Sequence, residues 1–351
     1  MLNDILVKIE KPSAEFLQKG KDRNAQLLMP PRAMGRLHEI AEQLCSIYST
    51  DKPVVERSAV FVMAGDHGVV EEGVSPFPQK VTTLMFNSFL NDLATVSVLA
   101  KKENVNVILV DVGSKFTQTD FNKPIKNIFI SKKVLFGTKN FTKERAMSVD
   151  EAIKTIEVGF EVADHFIKKE KLDIIITGEM GIGNTTPSAA IGAVVTGNDL
   201  ELMTGKGAGL DDEGLRIKIE AIKKGLELHN PDPKDPIDIL SKVGGAEIGA
   251  IAGLILAAAY NKKPVIIDGF ISTAGALLAY LLNPITRDYM IAGHCSEEPG
   301  HIKMLDFLAL KPILNLNLRL GEGTGAVLAL SIIKQAANMF NNVGTFADIG
   351  L

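Results

Sequence analysis

The chain has 351 residues, 46% of them hydrophobic and 23% charged, the balance of a water-soluble enzyme with one large core and room for an appendage. Its net charge of −4, with no basic stripe interleaved with aromatics, excludes nucleic acid as an expected partner. Two distant cysteines, Cys45 and Cys295, exclude a disulfide framework and point to a reducing, cytoplasmic setting.

The N-terminal MLNDILVKIEKP carries charges inside its apolar stretch and does not read as a signal peptide. Residues 33–48, AMGRLHEIAEQLCSIY, show a helical period before the first strand. A short β-branched run ending in glycine or a polar residue then recurs six times: 59–64 before GDHG, 105–112 before GS, 172–177 before GEMGIGN, 264–267 before DGF, 289–292 before GHCS and 313–318 before RLGEGTG. Such runs predict strands buried on both faces, with helices as crossovers, hence an α/β fold with a doubly wound, mainly parallel sheet. Two strongly apolar stretches, 248–260 and 270–282, reach only about thirteen residues, short of the roughly 20 that span a bilayer, and predict buried helices rather than a membrane anchor. A last helix covers 324–340. Residues 1–50 with 324–351 are expected to form a small helical domain, and 51–323 the large domain carrying the active site.

Ligands of such sheets gather beyond the carboxyl ends of the strands. Five of the six predicted loops hold both glycine and a candidate chemical group: Asp66 with His67, Glu179 with Asn184, Asp268, His294 with Ser296, and Glu322. The most informative segment is GEMGIGNTTPSAAIGA, 178–193. Gly178, Gly181 and Gly183 let backbone amides converge, Asn184, Thr185 and Thr186 add donors, and Pro187 suits a first helical turn, so a phosphate fits there without a metal. The same glycines serve tight helix and strand packing equally well. The spacing is neither a P-loop nor GxGxxG, and no acidic residue follows at the dinucleotide spacing, which weakens nucleoside triphosphate and NAD-linked oxidoreductase readings.

Downstream, Gly205, Gly207 and Gly209 precede Lys218, able to reach a phosphate or ribose oxygen, although a single lysine is more often a solvated surface group. Asp211 and Asp212 read as a helix start rather than a magnesium pair. Glu322, between Gly321 and Gly323, is either a helix-capping carboxylate or a buried general base of raised proton affinity. In AGHCSEEPGH the ligand types suit a metal but the spacing of His294, Cys295, Glu297 and His301 matches no common zinc pattern, so no metal is expected. His67 can simply brace its loop, and Cys295 as a nucleophile would need a paired base and an activating environment that sequence does not reveal.

These segments in this order, PPRAMGRLHEIA, AGDHGVVEEGVSPFPQKVT, TGEMGIGNTTPSAA, GLDDEGLRIK, VGGAEIGAIAGLILAAA, PVIIDGFISTAGAL, GHCSEEPGH and LRLGEGTGA, resemble the nicotinate-nucleotide:dimethylbenzimidazole phosphoribosyltransferase family over nearly the whole chain. The resemblance implies a homodimer, with pairing to a homologue as the alternative, that acts on small molecules with nicotinate mononucleotide as donor and no cofactor. It implies Glu322 as general base, Glu179, Gly181, Gly183, Asn184, Thr185, Lys218, Asp268 and Ser296 as the mononucleotide site, and Ser75, Phe77, Leu84, Met85 and Leu320 in the acceptor-base pocket. Two departures stand out. The family's PPGSLG reads PPRAMG, placing Arg32, Ala33 and Met34 in an N-terminal loop, and its VTxQM reads VTTLM, placing Leu84 where a glutamine is usual. The second implies an acceptor choice broadened toward other benzimidazoles, purines or phenols. A catalytically silent nucleotide-binding subunit is the rival reading, against which the retained Glu322 argues.

Overall fold

The computed structural model describes residues 1–117 and 126–350. Six strands, β1 (Ser58–Gly65), β2 (Asn106–Gly113), β3 (Ile128–Ser131), β4 (Ile174–Met180), β5 (Val265–Ile267) and β6 (Met290–Ala292), form one sheet in the order β3-β2-β1-β4-β5-β6. Every neighbouring pair is parallel. The α/β architecture is the expected one, with helices on both faces. The order reverses between β1 and β4, and a crevice opens at the carboxyl ends of strands at such a switch point.

The sixth predicted strand lies elsewhere. Residues 313–318 supply β8 (Leu314–Leu318), which pairs with β7 (His294–Ser296) in a separate two-stranded sheet. Its sequence LNLNL alternates, and its middle residues are exposed, so it cannot serve as a strand covered on both faces. The sixth strand of the main sheet is β3, four residues long at an edge and only partly covered, too short to leave a periodic signal.

The two faces of the sheet are covered differently. On one lie the helices Val149–Lys169 and Ala246–Tyr260, the second buried along its length to Ala259. They touch backbone to backbone: a Cβ on Gly159 would lie 1.9 Å from the Ala250 carbonyl oxygen, and one on Gly253 1.9 Å from that of Ile156. On the other face, Ile40 and Leu44 of helix Arg36–Tyr48 share a core with Leu330 and Ile333 of helix Thr324–Asn342 and with Val60, Val62 and Ile176 of the sheet. Helices from the two chain ends therefore pack together and onto one sheet face. Among the described residues no helix is long and apolar enough to cross a membrane.

The helix contact defines a stability test. Gly253→Ala inserts a methyl group where a backbone oxygen already sits, and its cost, about 2 kcal/mol or more, exceeds the gain in helix propensity. A lowered midpoint of chemical denaturation is the expected result.

Candidate active site

A cavity of about 250 Å³ lies at the carboxyl ends of β1, β4 and β5. Its floor is the turn after β4. Gly183 has φ +90°, and a Cβ on Gly181 would lie 2.2 Å from the Gly65 carbonyl oxygen, so both positions exclude side chains and leave backbone facing the cavity. The turn opens the helix Thr185–Thr196, and its N-cap residue Asn184 donates its side-chain amide to Glu179 rather than to the helix. Lys218 stands behind this wall. It is fully buried and does not line the cavity; its ammonium donates to Thr185 Oγ1 (2.7 Å) and to the Gly205 carbonyl (3.0 Å). Burial pulls its pKa down to about 8, opposed in part by the Glu298 carboxylate.

Glu322 closes the opposite side. Gly321, Glu322 and Gly323 have φ of +83°, +65° and +94°, three successive left-handed residues of which the middle one carries a side chain at a cost of roughly 1–2 kcal/mol. The loop rests directly on β4: a Cβ on Gly178 would lie 2.5 Å from the Glu322 carbonyl oxygen. Glu322 is 6% exposed, and its Oε2 has no hydrogen-bond partner among the described residues. Burial pushes its carboxyl up to about 7, with the nearby Asp268 adding to the rise and the Val96 amide opposing it. Glu179 joins the two walls, its Oε1 accepting from the Glu322 amide (3.3 Å). Burial pushes Glu179 to about 8, so its carboxyl is largely neutral at pH 7.

Asp268 lines the cavity, yet both its oxygens are engaged, accepting from the amides of Ala326 (2.8 Å) and Gly323 (3.1 Å) at the start of helix Thr324–Asn342. Burial raises its pKa, with His294 opposing. Ser296 lines the cavity too. Its amide donates to His301 Nδ1 (2.8 Å), and its Oγ accepts from the Glu298 amide (3.3 Å). His301 reaches Thr273 Oγ1 through Nε2 (2.9 Å), and burial drives its pKa down to about 3, so it is a neutral brace.

An apolar wall completes the site: Phe77, Met85 and Leu320 line the cavity with Val74, Val81 and Ile182, beside Ser75 whose Oγ accepts from the Phe77 amide (3.2 Å). Leu84 is the exception. It is 57% exposed on the helix Lys80–Leu90 and lies outside the cavity, because the neighbouring Val81 and Met85 occupy the inward face at helical spacing. Arg32 is likewise outside the cavity lining, its guanidinium paired with Glu42 (2.6 Å). Residues not anticipated from sequence include Ser272, Glu298 and Arg319. Ser272 lies four positions beyond Asp268 in DGFIS, where a helix start repeats toward the same side, a signal that could have been used. His67 forms a buried pair with Glu247 (2.7 Å) directly behind Gly181, and Cys295 is not part of the cavity lining, its thiol raised by burial and by Glu297.

A phosphoribosyltransferase family model matches residues 9–351. A nicotinate-nucleotide–dimethylbenzimidazole phosphoribosyltransferase of Geotalea uraniireducens (strain Rf4) is 47% identical over 351 residues, covering 100% of this chain and 98% of the relative. This chain belongs to that phosphoribosyltransferase family. A protein of the same name from Desulfotalea psychrophila is 46% identical over 352 residues, with 100% of this chain and 98% of the relative covered. The crystal structure of the enzyme so named from Thermus thermophilus superimposes with a TM-score of 0.89 at 39% identity, over 96% of this chain and 98% of that one. The family assignment thus covers every loop that contributes to the cavity.

The buried carboxyls predict how stability depends on pH. Glu179 rises from an ordinary 4.5 to about 8 on folding, so the folded state holds a proton that the unfolded chain releases. Its stabilising contribution is complete below about pH 4.5 and is lost as pH climbs to about 8. Melting temperatures of wild type and Glu179→Gln across this interval should converge at the acid end and separate at the alkaline end, the variant falling less.

Proposed function

We propose that the chain transfers the 5-phosphoribosyl group of nicotinate mononucleotide to a lower-ligand base, dimethylbenzimidazole or a related aromatic, giving an α-ribotide and nicotinate in cytoplasmic cobamide biosynthesis. The observation that carries this reading is Glu322: a buried carboxyl near neutrality, one oxygen unpartnered, in the same cavity as a glycine turn and an apolar wall.

The acceptor ring lies against Phe77, Met85 and Leu320, and the mononucleotide lies along Glu179, Gly181, Gly183, Asn184, Thr185 and Ser296. Lys218 acts through Thr185, and Asp268 through the helix start it caps, by holding those walls in place. The nicotinate nitrogen is cationic in the donor, so when its bond to C1′ breaks the electron pair returns to the ring and leaves an uncharged pyridine nitrogen. The acceptor nitrogen supplies its lone pair to C1′ from the opposite face, converting a β-linked to an α-linked nucleotide. Glu322 takes the N–H proton of the acceptor as that bond forms. Departure needs no acid, metal or cofactor, and most of the barrier is lowered by positioning. With Leu84 outside the cavity, the apolar wall gives no reason to set dimethylbenzimidazole aside. A homodimer is the proposed assembly; the exposed Phe77 and Leu320 of the cavity lining, with the exposed Leu84 of helix Lys80–Leu90, are apolar surface that a partner would cover.

Mass analysis of the nucleotide formed from nicotinate mononucleotide and dimethylbenzimidazole tests the reaction. Glu322→Gln should lower turnover about 10²- to 10⁴-fold while calorimetry still detects mononucleotide binding. Full activity in that variant would remove Glu322 as the base, and absence of ribotide from the wild type would reject the reaction itself.

A further inference from the structure

Two helices point their N-termini into the cavity. Besides Thr185–Thr196 there is the 13-residue helix Phe270–Leu282, which begins at Gly269 just past β5; Gly269, Phe270, Ile271 and Ser272 all line the cavity. The amides of a first turn lack intrahelical acceptors and form the positive end of the helix dipole. A helix start by itself does not make a site, but two buried groups beside this one have been left without partners.

The first is Ser272, 1% exposed, whose Oγ has no hydrogen-bond partner among the described residues. A helical hydroxyl ordinarily turns back to the carbonyl one turn earlier, as Thr273 does to Gly269 (2.8 Å). Ser272 does not. The second is His294, 2% exposed, with neither ring nitrogen bonded among the described residues. Its Nε2 lies 3.1 Å from the place a Cβ on Gly269 would occupy, at the very start of the helix. The nearest carboxylate oxygen, Asp268 Oδ1, is 3.6 Å away and already accepts from Ala326, so it does not satisfy the ring. Unsatisfied buried polar groups are costly and uncommon in folded proteins. A hydroxyl, an imidazole N–H and free helix amides converging on one wall of a cavity are donors awaiting an acceptor.

We propose that the N-terminus of Phe270–Leu282, with Ser272 and His294, is a second oxyanion-binding subsite, separate from the glycine turn after β4. The inference rests on the mononucleotide reading of the donor. Nicotinate mononucleotide carries two oxyanions, a 5′-phosphate and a ring carboxylate, on different substituents of the ribose, and two helix starts beyond the adjacent strands β4 and β5 offer a place for each. The rest of the lining favours this division: beside the carboxyls of Glu179, Asp268, Glu298 and Glu322 it holds one guanidinium, Arg319, so two oxyanions need further donors, which the two helix starts supply.

The test uses the full chain, with Ser272→Ala as the principal variant because it removes a single oxygen, and His294→Asn as the second. Calorimetric affinities are measured for nicotinate mononucleotide, nicotinamide mononucleotide, which lacks the ring carboxylate, and nicotinate riboside, which lacks the phosphate. Ser272→Ala should weaken nicotinate mononucleotide about tenfold, raise its KM in proportion and leave kcat little changed. The penalty should vanish for the one analogue that lacks the oxyanion held there, which identifies the occupant as carboxylate or phosphate. Unchanged affinity for all three ligands in Ser272→Ala, or an equal penalty for all three, would overturn the subsite. Failure of the reaction is read separately, from ribotide formation by the wild type, since the binding measurements need no turnover.

Discussion

The backbone of residues 321–323 lies on the end of β4 with no side chain between them, and the site follows from that contact. Gly178 leaves room for the Glu322 carbonyl, Gly323 presses on Thr177, and three consecutive left-handed residues turn the chain sharply enough to bury the glutamate side chain instead of releasing it to solvent. Asp268 holds the arrangement from below by capping the helix that follows. The strain at Glu322 is tolerable because glycines flank it and because the capped helix Thr324–Asn342 buries its apolar face on the sheet.

Burial then sets the chemistry. Glu179, Asp268 and Glu322 all have raised proton affinities, and desolvation is the first cause in each. The environments differ in what they leave free. Glu179 spends its oxygens on Asn184 and on the Glu322 amide, and Asp268 spends both of its own on a helix start, whereas Glu322 retains one oxygen with no partner among the described residues. Of three similar carboxyls, one is equipped to exchange a proton with a ligand and two hold the walls. Near pH 7 Glu179 is largely uncharged, which lowers the repulsion an anionic donor would meet.

Around and behind the cavity, buried polar side chains fix the loops. Lys218 ties Thr185 to Gly205, Glu298 accepts from the Gly207 amide (2.9 Å), and His67 pairs with Glu247 against the back of Gly181. Such pairs add little net stability, since desolvation offsets their attraction, but removing one partner strands the other. They serve here to hold glycine-rich backbone, which has few side chains of its own to fix it, in one conformation.

Much of this was legible in the order of residues. Continuous apolar runs ending in glycine identify five strands of the sheet, because a strand covered on both faces must be apolar throughout, and each run delivers its loop to the same end. That order brings Glu179, Asp268 and Ser296 toward one cavity, whereas Glu322 reaches it because its loop rests on β4, although the glycines around it already announce its unusual backbone. Three matters were decided by tertiary structure. Residues 313–318 look like a sheet strand but pair with His294–Ser296, since strand pairing is a long-range choice that local pattern does not encode. Lys218 and Leu84 exchange the expected environments, the charged residue fully buried behind Thr185 and the apolar one exposed, because which face of a helix meets the core depends on what packs against it. The unpaired groups at Ser272 and His294 have no sequence signature at all, as a missing hydrogen bond is a property of the surroundings rather than of the residue.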